Sequence, residues 1–327
     1  MYHNVAAIDI GSNAVRLLIA SVRDSPSGPV SKKEVLIRIP LRLGEDSFTN
    51  GTISQSSVRW LIHVMKAFGY LMRVQQVRTY MAFAGSALRE ASNSDEILAI
   101  IKEKAGLTVQ PLSVNEEAWF LYESYATEKL LPQRNYLYVD LGGGTTEIVL
   151  LENGRLADAR RFNVGTVRQL VGKEMKTERQ AMIDYLSRIK ASHAPVALIG
   201  TGGNINKIAR LIRTTRDKAF TLRSLQLLHT KLRQISVEGR MNVFDLAPDR
   251  ADVIVPACEI FIQVAKAAGV SKFIVPTRGL VDGMVRTMIT QPQERASTSE
   301  RTVDPPIDAC FNESSDESWQ EFDDEQE

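Results

Sequence analysis

Two short segments carry the residue types that phosphate chemistry needs. Ala7-Ile8-Asp9-Ile10-Gly11-Ser12-Asn13 returns in altered form, 131 positions later, as Val139-Asp140-Leu141-Gly142-Gly143-Gly144-Thr145. In each copy an apolar run brings a carboxylate to the mouth of a turn, and small residues then bare successive backbone N–H groups. Such a nest of amides binds phosphate oxygens. One Asp-x-Gly after a strand is an ordinary turn, but the duplication implies one anion held between two related lobes. A third small-residue turn, Gly200-Thr201-Gly202-Gly203-Asn204, precedes a helical segment whose N-terminal amides would face an anion or a nucleotide.

The elements that must position these turns follow from the apolar pattern. After each of the first two turns the chain runs back as a strand, over about 15–22 and 147–151, so each unit is a hairpin and not the strand-turn-helix of a Walker loop. Asn153-Gly154 turns the second hairpin again into a strand over 156–162. A helix is predicted over 55–74, with Val58, Leu61, Ile62, Met65, Phe68 and Leu71 forming a core-facing stripe. A strand over 77–84, a helix from Ser94 to the stop at Gly106, a strand near 108–112 and a helix from about Asn115 complete the first half. The second half predicts helices near 182–189, 224–235, 251–267 and 280–288, with strands at 195–199 and 272–275. Alternating strands and helices give α/β lobes. The expected domains are 1–131, 132–290 and an acidic disordered tail, 291–327, with the lobe boundary at Leu131-Pro132-Gln133-Arg134.

Composition bounds the class. A chain of 327 residues exceeds what one core organises. No apolar stretch is long enough to span a membrane. Cys258 and Cys310 lie far apart, so neither a disulfide framework nor a zinc site is expected, and the four histidines share no ligand spacing. The opening residues lead straight into a strand, without the pattern of a secretory leader, and a cytoplasmic location is expected. The net charge of +1 hides an asymmetry: residues 291–327 hold twelve acidic and two basic groups, leaving the first 290 residues at +11. That is compatible with an ordinary solvated surface and would also favour a polyanionic substrate.

The ordered series IDIGSNAVRLL, SALREASN, NEEA, VDLGGGTTE, GTGGN and RADVIVPA, within about residues 5–288, resembles the signature set of the exopolyphosphatase and guanosine pentaphosphate phosphatase family. The resemblance implies an α/β fold of two ribonuclease-H-like (actin-like ATPase) lobes with an interdomain cleft, in the short two-lobed form. It also implies Mg2+-dependent hydrolysis of a terminal phosphoanhydride. By the same resemblance Ser12 and Asn13 match the first phosphate turn, and Gly142, Gly143, Gly144 and Thr145 the second. Arg89 matches a phosphate-binding arginine, Glu117 the residue that activates water, and Glu147 the glutamate ending the second loop motif. Asp140 is the first candidate for a magnesium ligand, with Glu147 beside it, since magnesium favours one or two carboxylates plus substrate phosphates.

Three departures from the family pattern stand out. Ala14 replaces a serine, Val114 replaces a glycine before the glutamate pair, and Val281 replaces an arginine, with Arg278 nearby as a candidate to reach the same anion. The expected substrate is inorganic polyphosphate, with guanosine pentaphosphate as the nearest alternative. A non-catalytic polyphosphate or alarmone binder is a further alternative, as is an actin-like ATPase or small-molecule kinase. No membrane and no specific nucleic acid is an expected partner, and the resemblance allows a homodimer.

Overall fold

Alternating apolar residues build two sheets, and the faces they turn toward each other determine where the polar exceptions meet. The structure, a computed structural model, describes residues 2–26, 28–125, 134–212, 219–290 and 301–302. The residues at the expected lobe boundary, Arg134 excepted, and the acidic tail, Arg301 and Thr302 excepted, lie outside the described residues.

The strands are β1 (Tyr2–Ile10), β2 (Val15–Arg23), β3 (Val30–Ile39), β4 (Val77–Ala84), β5 (Gln110–Pro111), β6 (Tyr136–Leu141), β7 (Thr146–Glu152), β8 (Arg155–Phe162), β9 (Ala197–Thr201), β10 (Ala219–Thr221), β11 (Lys272–Ile274) and β12 (Arg301–Thr302). The helices of the first half are α1 (Leu43–Asn50), α2 (Gln55–Val74), α3 (Ser86–Glu90), α4 (Ser94–Ala105) and α5 (Val114–Tyr125). Those of the second half are α6 (Thr166–Leu170), α7 (Lys176–His193), α8 (Gly202–Leu211), α9 (Leu222–Arg233), α10 (Val237–Phe244), α11 (Pro248–Ala251), α12 (Ile254–Ala267) and α13 (Leu280–Thr290).

One sheet runs β12-β4-β1-β2-β3, with β5 paired to β4, and the other β10-β11-β9-β6-β7-β8. Their centres repeat one topology. β1 pairs antiparallel with β2 and parallel with β4, as β6 pairs antiparallel with β7 and parallel with β9. Side chains alternate between faces along a strand. Ala6, Ile8 and Ile10 therefore bury against α2 and α4 on the outside of the first sheet, and Leu137, Val139 and Leu141 against the outer helices of the second. The opposite rows, Val5 and Ala7 on β1 and Tyr136 and Tyr138 on β6, face a central layer shared with α5 and α13.

The layer is crossed: α5 packs on β7 and β8, whereas α13 packs on β1 and β2 as well as on α5. The strand expected near 108–112 shrinks to Gln110–Pro111, because proline offers no N–H to extend the ladder. The helix expected over 251–267 is divided at Asp252, which turns to pair with Arg42 at 2.7 Å. α10 buries no residue, so it has no apolar stripe from which it could have been read.

α5 and α13 approach closely at Gly283, where a β-carbon would run into the carbonyl oxygen of Phe120. Gly283→Ala is expected to cost about 1–3 kcal/mol through forced displacement of the two helices. Gly279→Ala, with nothing within 4 Å of its new methyl, should stay near wild type. Urea unfolding midpoints check both, and equal midpoints would remove this account of the crossing.

Candidate active site

Each inner row of side chains ends in a carboxylate. On β1 the series Val5, Ala7 continues to Asp9, and on β6 Tyr136, Tyr138 continues to Asp140, so both acids enter the central layer at the end where the hairpins turn. Their cross-strand neighbours complete the set. Arg16 stands opposite Asp9 and donates to it at 2.5 Å, while Glu147 stands opposite Asp140.

Glu117 comes from the first turn of α5. Ser113 and Glu116 form a reciprocal cap: the Ser113 hydroxyl accepts from the Glu116 N–H at 3.2 Å, and the Glu116 carboxylate accepts from the Ser113 N–H at 3.0 Å. That cap begins α5 at Val114 without a glycine and occupies Glu116, leaving Glu117 turned to the cleft. Arg161 on β8, unread in the sequence, donates Nε to Glu147 at 3.1 Å and Nη2 to Glu117. Arg161 and Arg89 also both donate to the carbonyl of Leu112 at 3.4 Å.

The two glycine-bearing turns close over these acids. The Gly11 N–H donates to the Ala14 carbonyl at 3.2 Å and the Gly142 N–H to the Thr145 carbonyl at 2.9 Å. Among the described residues the N–H groups of Ser12, Asn13, Gly143 and Gly144 donate to no protein acceptor. The turns face each other: a β-carbon on Gly143 would lie 3.0 Å from the Ser12 β-carbon. Between them is a cavity of about 80 Å³, lined by both turns, Asp9, Arg16, Glu117, Asp140, Glu147, Gly202, Gly203, Asn204, Arg38 and Arg250. Ser86 also lines it, its hydroxyl 2.8 Å from that of Ser12, which places a second hydroxyl near the turn despite Ala14.

Of the residues singled out from the sequence, Ser12, Asn13, Gly142, Gly143, Thr145, Glu117, Asp140 and Glu147 line this cavity. Gly144 packs against Ser86 and Phe48. Arg89 stands behind the wall, half-buried, and shares the field of Arg161, Glu117 and Glu147. Arg278 does not reach this anion site. It lines a separate cavity with Lys33, although Leu280, two positions on, lines the catalytic one. The arginines Arg16, Arg38, Arg161 and Arg250 were missed. The repeat itself held the signal for the first, since the 131-residue offset that relates the turns carries Arg16 onto Glu147.

Burial dominates the acids. It raises Glu117 to about 7 against the pull of Arg161, and Asp140 to about 6 against that of Arg16. It raises Glu147 as well, reinforced by Glu117. Burial pushes Arg250 down to about 9, and the nearby Arg38 and Arg16 push the same way. Asp140 and Glu147 are adjacent oxygen donors with unbalanced negative charge, the donor chemistry of a magnesium site completed by phosphate and water. Among the described residues no three His, Cys, Asp or Glu side chains converge into a closed protein cage.

The lobes are tied together across the cavity. Arg38 pairs with Asp249 at 2.5 Å, Asn13 Nδ2 donates to the Asp249 carbonyl at 3.1 Å, and Arg42 pairs with Asp252. On the other side Arg168 of α6 donates Nε to the Gly144 carbonyl at 3.0 Å and Nη2 to both oxygens of Glu90, at 2.8 and 2.6 Å, while stacking 4.0 Å above the Phe48 ring. One side chain thus joins the second turn to the end of α3.

Comparison with known proteins gives a consistent result. The sequence profile of the Ppx/GppA phosphatase family matches residues 35–291. A bifunctional 3-dehydroquinate synthase/phosphatase from Fusobacterium nucleatum is 24% identical over 73% of the chain, which spans 35% of the length of that relative. The crystal structure of an exopolyphosphatase from Cytophaga hutchinsonii superposes with a TM-score of 0.76 at 21% identity, covering 88% of this chain and 98% of that one. The Aquifex aeolicus PPX-GPPA enzyme gives 0.70 at 25% identity, covering 88% of this chain and all of that one. The two-sheet architecture is that of these actin-like structures. Among the described residues no helix is long and apolar enough to cross a membrane.

Arg168→Ala leaves the Gly144 carbonyl and Glu90 without their shared donor, and its expected cost is about 2 kcal/mol because Glu90 is partly exposed. Arg168→Lys should recover only part of this, since an ammonium can neither fork nor stack flat on Phe48. Denaturant midpoints of the two variants test the assignment, and an alanine variant as stable as wild type would reject it.

Proposed function

The chain belongs to the Ppx/GppA phosphatase family, and from that premise we propose that it hydrolyses the terminal phosphoanhydride bond of inorganic polyphosphate, releasing orthophosphate. The observation that carries this reading is the meeting of two amide-bearing turns above Glu117, Asp140 and Glu147 in one cavity. Guanosine pentaphosphate presents the same terminal bond and is the nearest alternative substrate.

In the proposed reaction the terminal phosphoryl group rests between the N–H groups of Ser12, Asn13, Gly143 and Gly144. Preorganised donors of this kind stabilise charge on the transferring group without reorganising. A water attacks the terminal phosphorus from the side of Glu117, whose carboxylate takes its proton. The bond from that phosphorus to the bridging oxygen breaks, and the electron pair leaves with the shortened chain. Arg161 keeps Glu117 oriented and favours its ionised form, and Arg89 adds positive field from behind the same wall. Asp140 and Glu147 would hold Mg2+, which would supply charge neutralisation on the phosphate oxygens.

Phosphate release from long polyphosphate, tripolyphosphate, guanosine pentaphosphate and ATP, each with Mg2+ and with EDTA, tests the reading. Metal-dependent release from polyphosphate is expected, and turnover of ATP alone would overturn it. Glu117→Gln should lower kcat by at least ~10²-fold with little change in KM, the usual scale for losing a general base. Because the active form of Glu117 is the carboxylate and its carboxyl is raised to about 7, kcat should rise with pH through neutrality. Arg161→Gln removes the charge opposing that rise, so its acid limb should move to higher pH. A limb that stays in place would dissociate Arg161 from the base.

A further inference from the structure

A second cavity, of about 240 Å³, opens on the central-layer side of the first sheet and is lined by Ser31, Lys33, Glu123, Arg278, Asp282 and Arg286. It lies on the same strand face as the catalytic cavity. Arg38 and Lys33 are five positions apart on β3, an odd number that would set them on opposite faces of a regular strand. They share a face because β3 carries an extra residue: Leu18 pairs with Leu36 and Ile19 with Val35, but Ala20 pairs with Lys33, leaving Glu34 as a bulge. Glu34 turns to the other face, where it accepts from Ser21 at 2.8 Å. The bulge re-aims Lys33 toward the inner layer.

Two of the cations here keep exposure or donors beyond their acidic neighbours. Lys33 reaches both carboxylate oxygens of Asp282, at 2.7 and 3.0 Å, and the Thr277 carbonyl at 3.3 Å, yet 39% of its side chain stays exposed. Arg286 uses Nε on Glu123 at 3.1 Å, and its two Nη groups have no hydrogen-bond partner among the described residues. Arg278 lines the same cavity. At ~3.3 Å per residue the step from Arg38 to Lys33 is roughly 15 Å along the strand. A linear polyanion with one end in the catalytic cavity meets these donors only after it has passed over β3.

We propose that this cavity is a second anion site that binds the distal phosphates of a polyphosphate chain whose terminal phosphate occupies the catalytic cavity. The inference rests on the polyphosphate reading above. Tripolyphosphate is too short to reach from one cavity to the other, so the site acts only on long chains and gives the enzyme a length preference. Its contribution falls with salt, as for other exposed charges.

The test compares KM for long polyphosphate and for tripolyphosphate in the wild type, Lys33→Gln and Ser31→Glu, the last adding an opposing charge without deleting any ion pair. Each variant should raise KM for long chains by about fivefold, the scale of one exposed charge contact, with kcat and the tripolyphosphate KM unchanged. The effect should shrink at high salt. Equal changes for both substrates, or a drop in melting temperature with both KM values unmoved, would show that the cluster only braces α13 and would overturn the site. A wild type inactive on either polyphosphate would instead overturn the reading on which the site rests.

Discussion

The site depends on carboxylates that burial would neutralise and that a few arginines keep ionisable. Asp9, Asp140, Glu117 and Glu147 gather at one end of the central layer, yet among the described residues only Arg16 and Arg161 ion-pair with them there. Desolvation of a carboxylate raises its pKa, and a second carboxylate nearby raises it further. Asp9 has Arg16 to itself at 2.5 Å. Glu117 and Glu147 share one guanidinium, and Asp140 makes no ion pair among the described residues. The surplus charge therefore falls on Glu117, Asp140 and Glu147, where a proton, a cation or a reacting water can answer it.

The internal repeat explains how that surplus arises without disturbing the fold. Both hairpins place an acid at the same register and a partner directly across from it, and the 131-residue offset carries Asp9 onto Asp140 and Arg16 onto Glu147. The frame is duplicated, but the charge is not. In the first copy acid faces base, a neutral pair beside the cleft; in the second acid faces acid. A symmetric scaffold thus yields an asymmetric pocket, as hydrolysis needs, because attacking water and bound phosphate make opposite demands on their surroundings.

Much of this was legible in the residues. The helix over 55–74 could be bounded because its apolar stripe and the Ser54 cap agree, and the hairpin turns could be placed because a carboxylate followed by glycines ends each apolar run. Ser113 and Glu116 spell a capping box that explains why Val114 does no harm. Arg161 and Lys33 escaped for a shared reason. A two-residue hairpin at Asn153-Gly154 without irregularity would set Arg160 opposite Glu147, and a regular β3 would turn Lys33 away from Arg38. In each lobe the third strand carries one extra residue, which shifts the register by one and exchanges the faces. A pattern read at period two cannot see a single insertion. Contacts between lobes, such as Arg38 with Asp249, escaped because no local signal relates residues so distant in the chain.

The charge distribution around the cavity bears on what it can receive. One wall carries Arg16, Arg38 and Arg250, close enough that Arg250 is pushed down to about 9 by burial and then by the other two. The other carries Asp140, Glu147 and Glu117, each pushed up. Each wall keeps partners of its own, Asp249 with Arg38 and Arg161 with the two glutamates, and Arg16 offsets only part of the burial that raises Asp140. A free anion would satisfy the first wall and aggravate the second, and a lone cation would do the reverse. A phosphate carrying a divalent cation would satisfy both, with the arginines and turn amides to hold its oxygens and Asp140 and Glu147 to hold the metal. This division of charge supports the proposal that Asp140 and Glu147 would hold a divalent cation bound together with the phosphate chain.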